Sequence, residues 1–490
     1  MELRDTNDAA PLLASDAPIV VKQQGGAWPS GLPEKVCANI STGSSLIPID
    51  IGHDGYMAVI DPDTAFWSLI RKDRLSDTLT DPAFIQHVHD KGSIFAAEMS
   101  ALRFGIAPSA VYFNPTERCN LNCTYCYLPE KMRRNGRHMT QRRLFEALEI
   151  LLDFFRRYLP TGLRPQVIFH GSEPMLNRTA VFAAIERFAD EIVFGVQTNG
   201  TLLDPEAIEF FTSHQISLGL SLDGPLAEIT GRTRHTYAGG GIHERVIDVL
   251  KTLRGYRNHS VICTVTTKNL EYLSEVVELF HDLEVPTCML NPVRSTLAGG
   301  REVRPSDADL AEAYLRALDR SYELFQQSGR KLVVANFANI ILAIVAPTAR
   351  RLMCDISPCG GGRSFFAVDA HGDLFPCSEF IGMPDFRGGN LFAGGLENCF
   401  DTDAFRSVTG RTVEVIDPCR RCAIRNFCGA PCPAEVYGLH HDLLQRGAFC
   451  QFYWEQLRYA FRLIADGLES AYLWDDWEKA TSTVFEMMIP

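Results

Sequence analysis

The 490-residue sequence predicts an α/β fold, a partial (β/α)6 barrel with an N-terminal accessory region before it and a small Cys-rich domain after it. Three observations predict this. Six short β-rich runs alternate strictly with six helical patterns from Ser109 onward. The alternation stops near Arg350, where glycine, proline and cysteine rise together. Before the alternation, Ser45–Ile60 reads as a strand, a glycine-containing turn and a second strand. The expected division is 1–104 for the accessory region, 105–345 for the barrel, 346–455 for the Cys-rich domain and 456–490 for a C-terminal helix.

Residues 1–25 are polar and are expected to be mobile. The accessory region would either dock a peptide leader or cap the bottom of the barrel. The β-rich runs are Val111–Pro115, Gln166–His170, Ile192–Thr198, Ile216–Leu222, Ser260–Thr266 and Thr287–Val293. The helical patterns between and after them are Thr140–Leu159, Arg178–Ala189, Pro205–Ser213, His243–Arg254, Leu270–Leu283 and Ser306–Gln327. In the first helix Leu144, Leu148, Leu151, Phe155 and Leu159 form one apolar stripe. In the last, Ser306 is placed to cap the N-terminus ahead of Leu310, Tyr314, Ala317 and Leu324. Such a succession implies a parallel sheet with right-handed crossovers. It is too short for a closed eight-stranded TIM barrel, and a site is expected at the C-terminal strand ends. The Cys-rich segment suits a small domain held by metal rather than by a large core. The stretch from Trp454 to about Glu486 is aromatic, acidic and helical in pattern.

An apolar fraction of 46% and a charged fraction of 22% are ordinary for a soluble enzyme. The formal net charge of −13 argues against nucleic acid or an anionic membrane surface as the main partner. No run of ~18 apolar residues is present, so no membrane span is expected. Glu2, Asp5 and Asp8 and the lack of an apolar core exclude a secretory signal, so a cytoplasmic location is expected. Fifteen cysteines in such a chain point to metal rather than disulfides.

Cys119, Cys123 and Cys126 follow the first barrel strand with the spacing C-x3-C-x2-C. Three thiolates are one short of the four that usually hold a [4Fe–4S] cluster, which leaves one iron open to a small molecule. Inert buried cysteines are the bland alternative, but Asn120, Asn122 and Thr124 make the loop polar. A closed zinc site would need a fourth ligand, and His138 is the nearest candidate, twelve residues on.

With these residues the chain resembles the radical S-adenosylmethionine superfamily over about 105–345. The run His170-Gly171-Ser172-Glu173-Pro174 resembles the family's Gly-Gly-Glu-Pro motif, with Ser172 in place of the second glycine. The resemblance implies that Gly171, Ser172, Glu173 and Pro174 meet the cofactor's amino group. Gln197-Thr198-Asn199-Gly200 and Ser221-Leu222-Asp223-Gly224 end the next two strands. They resemble the family's ribose and methionine contacts, which would fall to Thr198, Asn199, Ser221 and Asp223; ordinary Asn-Gly and Asp-Gly turns are the alternative. Arg234, or Arg232 in a shifted alignment, resembles an arginine that meets the cofactor's carboxylate, and Tyr125 matches an aromatic position beside the adenine. The implied chemistry is reductive cleavage of S-adenosylmethionine to a 5′-deoxyadenosyl radical that abstracts hydrogen from an unactivated C–H.

The second cluster of cysteines reads Cys354, Cys359, Gly372-x4-Cys377, Cys419-x2-Cys422-x5-Cys428-x3-Cys432 and Cys450. It resembles the SPASM extension of this superfamily over about 350–455. The resemblance implies two auxiliary [4Fe–4S] clusters, three clusters in all. Cys354, Cys359, Cys377 and Cys432 would hold the nearer one, and Cys419, Cys422, Cys428 and Cys450 the distal one. A zinc knuckle of Cys419, Cys422, Cys428 and Cys432 is the alternative. Cys37, Cys263, Cys288 and Cys399 remain, of which Cys263 and Cys288 sit in apolar strand runs and are expected in the core.

SPASM enzymes mostly act on peptides. The expected function is therefore a maturase that installs a thioether, ether or carbon–carbon crosslink in a ribosomally made precursor peptide, with electrons from a flavodoxin- or ferredoxin-type donor. One branch instead oxidises a cysteine or serine of sulfatases to formylglycine. It carries an aspartate, a proposed base, directly after the cysteine matching Cys377. Here Ser378 stands there, a departure that weakens this reading, and Glu379 follows as the alternative stand-in for that base. A small-molecule enzyme and a non-catalytic iron–sulfur electron carrier are further alternatives. The cofactor-binding motifs speak against the carrier.

Overall fold

The computed structural model describes residues 46–477 and, before them, the backbone of two short strands, β1 (Arg4–Asp5) and β2 (Ile19–Val20). The rest of segment 1–25, Cys37 and the end of the expected C-terminal helix lie outside the described residues. β3 (Ile47–Ile49), β4 (Tyr56–Ile60) and β5 (Trp67–Arg71) follow, and β3 and β4 form the expected antiparallel pair. The five strands make one sheet in the order β1-β2-β5-β4-β3.

The main sheet is built from β6 (Ala110–Phe113), β7 (Gln166–Phe169), β8 (Val193–Thr198), β9 (Ser217–Ser221), β10 (His259–Val265) and β11 (Thr287–Pro292). These are the six expected strands, each parallel to the next in sequence order. Parallel strands covered on both faces read as near-continuous apolar runs, which is why they were legible. Val111, Phe113, Val167, Phe169, Leu218, Leu220, Val261 and Leu290 are all fully buried. The sheet does not close. β12 (Val333–Val334) adds to β11, and β13 (Phe365–Val368) adds in parallel to β6. β14 (Asp373–Phe375) and β15 (Gly389–Asn390) then continue the sheet antiparallel. The Cys-rich segment therefore begins as an extension of the main sheet, not as a body beside it. This lays its cysteine loops against the mouth formed by the strand ends.

The helices match their periodicity. Gln141–Tyr158 buries Leu144, Leu148, Leu151 and Phe155, and its N-cap Thr140 accepts from the Arg143 amide at 3.3 Å. Asp307–Ser328 is capped by Ser306, which accepts from the Asp309 amide at 3.2 Å, and stops at Gly329 with φ +71°. Two helices have no periodic signature. Pro82–Phe104 fills much of the accessory region. Ala335–Val345 is buried on every side except Asn336, so it has no polar face to mark it. Asn336 lies against β11, its amide donating to the Leu290 carbonyl at 2.8 Å.

The C-terminal helix begins at Cys450, runs to Asp466 and ends at Gly467. It and Ala335–Val345 receive the N-terminal sheet. Trp67 donates to the Ile344 carbonyl at 2.9 Å and packs its ring 5.4 Å from Phe461.

Glu98, on Pro82–Phe104, is 1% exposed, and its Oε2 has no hydrogen-bond partner. Burial pushes its carboxyl up to about 8, against a weaker opposing bond from Thr348. Because the folded value is raised, the protonated form stabilises the fold at low pH. That stability is lost as pH rises from the unfolded value near 4.5 through about 8. Glu98→Gln, which cannot ionise, should melt above the wild type at pH 8 by on the order of 3 kcal/mol and no higher than it at pH 5. Thermal melts at the two pH values check this.

Candidate active site

The loop after β6 carries Cys119, Cys123 and Cys126. It is held from both sides. The amides of Cys119, Asn122 and Thr124 donate to the carbonyls of Arg133, His235 and Thr233 at 2.8–3.0 Å. The buried Arg133 side chain donates to the carbonyls of Leu128 and Leu121 and to Asn122 Oδ1. The three thiols act on one another electrostatically. Burial pushes Cys119 up to about 12 and Cys123 up to about 11, so both stay protonated unless a metal replaces the proton. His138, the nearest candidate in sequence for a fourth ligand, is exposed.

The thiols open into a cavity of about 340 Å³ at the C-terminal strand ends. Tyr125, Gly171, Ser172, Thr198, Asn199, Ser221 and Arg234 line it as well. Gly171 has φ +100°, and a Cβ there would sit 2.1 Å from the Asn114 side chain. Only glycine lets the backbone turn and approach here. Ser172 donates to the Glu117 carbonyl at 2.5 Å, clasping the cysteine loop to the end of β7.

Glu173, Pro174 and Asp223 stand behind the cavity wall. Glu173 is fully buried and accepts from Thr198 Oγ1 at 2.7 Å, the Asn199 amide at 2.8 Å and the Met175 amide at 3.0 Å. It therefore ties the ends of β7 and β8 together, and burial raises its carboxyl. Asp223, also fully buried, accepts from Tyr125 at 2.5 Å, Arg234 Nε at 3.3 Å and the Thr264 amide at 3.0 Å. Arg234 Nη2 in turn donates to Tyr125 at 2.7 Å. The geometry separates the two rival arginines. Arg234 faces the cavity, whereas Arg232 is on the surface, paired with Glu228 at 3.0 Å.

The eight remaining metal-type cysteines divide into two interleaved groups. Cys354, Cys359 and Cys377 act on one another, and Cys432 joins them through Cys359 and Cys377. All four line the same cavity as the first three cysteines. Cys419, Cys422, Cys428 and Cys450 act on one another in the same way, away from the cavity. A zinc knuckle of Cys419, Cys422, Cys428 and Cys432 would need Cys432 in the other group. Among the described residues, no three or more His, Cys, Asp or Glu side chains close on the point that one metal ion would occupy. Cys263, Cys288 and Cys399 are fully buried core residues.

No motif singles out Arg294 or Tyr127, whereas Glu379 and His170 lie in runs that the sequence marks. Arg294 follows β11 directly and donates to the buried Glu435 at 3.3 Å. Its place after the last barrel strand is the signal that could have found it. Glu379 lines the cavity, and its Oε2 is buried without a partner. Burial pushes its carboxyl up to about 7, against the field of Arg294. Tyr127 Oη and His170 Nδ1 are likewise buried without partners on the same cavity. Three thiols, a glycine cradle and unpartnered polar atoms are a donor set that fits an iron–sulfur cluster with a polar ligand on its open iron.

Residues 113–280 match the family model described as the Radical SAM superfamily. A protein of Archaeoglobus fulgidus, itself uncharacterized, is 39% identical over 406 residues, 83% of this chain and 92% of that protein. A cysteine-type anaerobic sulfatase-maturating enzyme of Clostridium perfringens is 23% identical over 71% of this chain and 94% of its own length. Among solved structures, anSMEcpe with bound AdoMet superposes with a TM-score of 0.66 at 22% identity, over 77% of this chain and 98% of that one. Streptococcus suis SuiB bound to its precursor peptide SuiA gives 0.53 at 14% identity, over 83% of this chain and all of that one. Among the described residues no helix is long and apolar enough to cross a membrane.

Proposed function

Because this chain belongs to the radical SAM (S-adenosylmethionine) superfamily, we propose that it is a cytoplasmic maturase that abstracts hydrogen from a ribosomally made precursor peptide and installs a thioether, ether or carbon–carbon crosslink. The superfamily works with a [4Fe–4S] cluster and S-adenosylmethionine. Here Cys119, Cys123 and Cys126 would hold that cluster. Gly171, Ser172, Thr198, Asn199, Ser221 and Arg234 would receive the cofactor, beside Tyr125 and with Glu173, Pro174 and Asp223 as support. The two interleaved groups would hold two further [4Fe–4S] clusters, and a flavodoxin- or ferredoxin-type protein would be the electron donor. When bound, these groups supply a hydrogen-abstracting radical and a sink for a surplus electron.

The chain's own part is aim, exclusion of water and handling of a proton. The observation that carries the reading is the shared cavity. The first three cysteines and Cys354, Cys359, Cys377 and Cys432 face one space, with Glu379 on its wall. A target residue held there lies between the hydrogen-abstracting end and the auxiliary end. Glu379 Oε2, buried and unpartnered, is placed to take a proton from the heteroatom that forms the new bond. Each auxiliary group has four cysteines, so a cluster held there would be fully ligated by the protein, and side chains would hold the target.

Sulfatase-type oxidation to formylglycine is the second reading, favoured by the relatives named above. Ser378 in place of that branch's aspartate speaks against it. The test is anaerobic reconstitution with S-adenosylmethionine, a reductant and candidate peptides, best taken from short reading frames beside the gene. A crosslink appears as a peptide lighter by two hydrogens with no aldehyde; formylglycine appears as an aldehyde that a hydrazide traps. No 5′-deoxyadenosine at all sinks both.

Gly171→Ala should weaken S-adenosylmethionine binding by at least about tenfold, a loss of ~1.4 kcal/mol, because the added methyl overlaps Asn114 and the backbone is held at positive φ. Calorimetric titration of the reconstituted variant checks it, with iron content as the control for folding.

A further inference from the structure

A buried charge is costly unless it is compensated. Arg411 is 3% exposed, and its guanidinium donates to the carbonyls of Leu443 at 2.5 Å, Ala430 at 2.7 Å and Gln445 at 2.8 Å. These partners give each of its three nitrogens a bond and leave its charge unanswered. No carboxylate among the described residues bonds to it, and Asp442 feels it only from beyond ion-pair distance, on the exposed side. The Ala430 carbonyl that it binds lies two residues after Cys428 of one interleaved group and two before Cys432 of the other, and its field reaches Cys359 and Cys419 as well. Cysteines that ligate a metal centre do so as thiolates, so both groups would be anionic when loaded. Arg133 repeats the arrangement at the first three cysteines. It is buried, bonded to two carbonyls and an amide oxygen, and within reach of Cys123 and Cys126.

We propose that Arg411 is the counter-cation shared by the two auxiliary iron–sulfur sites, placed between them to favour the reduced state of both. A [4Fe–4S] centre on four thiolates is net negative and becomes more so on reduction. A buried cation beside both would therefore favour adding an electron to either. Arg363 gives the contrast: it donates to the Leu102 and Pro358 carbonyls, and its field reaches Cys359. This inference rests on the iron–sulfur assignment made under Proposed function, not on the peptide substrate.

The test uses the full chain with Cys119, Cys123 and Cys126 replaced by alanine, reconstituted anaerobically and titrated by EPR-monitored potentiometry without S-adenosylmethionine. Fewer than ~8 irons per chain before any arginine change would fault the cluster assignment itself. With both clusters present, R411Q should move both midpoints to lower potential, and R363Q should move one. Either midpoint standing still in R411Q overturns the proposal. Should R411Q shed iron, R411K decides. Retention of full iron by R411K shows that the charge is what matters, and an equal loss shows a purely structural carbonyl bridge and overturns the shared-cation role.

Discussion

Replacing Cys123 by alanine should abolish cleavage of S-adenosylmethionine and, with the proposed three clusters, should lower iron content by ~4 of ~12 atoms per chain. Cys123 sits in the middle of the loop that Arg133 and the 233–235 segment hold, and its thiol faces the cavity with Cys119 and Cys126. Two thiolates cannot keep a cluster in place with an iron still free for the cofactor. The loop itself is fastened by backbone and Arg133 bonds that do not use the thiol, so the fold should survive. Chromatographic assay for 5′-deoxyadenosine, together with iron and sulfide determination, checks the expectation. Wild-type cleavage in the variant would mean that the first cluster lies elsewhere.

Glu379→Gln should cut formation of modified peptide by roughly 10²- to 10⁴-fold, the range that a positioned proton acceptor contributes. Cleavage of S-adenosylmethionine should persist, uncoupled from product. The substitution keeps the shape of the side chain and removes its ability to take a proton. Glu379 reaches the cavity from the turn after Cys377 and makes no bond to the cofactor-side residues, which is why the two readouts should separate. Product formation at the wild-type rate would remove Glu379 from the mechanism. A parallel loss of cleavage and product would assign it to the architecture of the site.

The barrel was legible because its signals are local. Parallel strands are short apolar runs, and their turns are spelled by Asn-Gly, Asp-Gly and the Gly171 run. The exception within the barrel region, Ala335–Val345, is instructive: a helix buried almost all round has no polar face, and so no period to read. The continuation of the sheet through β13 was also hidden, since pairing of Phe365–Val368 with Ala110–Phe113 joins segments some 250 residues apart.

The sequence by itself determined the chemistry on offer: eleven cysteines in metal spacing, the cofactor-type motifs at strand ends, and six β/α units to carry them. Those features are written in spacing along the chain, each motif or element in its own short run. Tertiary structure alone decided what meets what. It brought the first three cysteines and four of the later eight onto one cavity, turned Arg234 inward and Arg232 out, and set Arg294 and Glu379 on the wall. It also buried Arg411 against the Ala430 carbonyl, on the link between Cys428 of one later group and Cys432 of the other. The physical reason is that convergence of distant residues follows from how the sheet and helices pack. A buried charge with no carboxylate partner becomes visible only once the surroundings that must compensate it are in place.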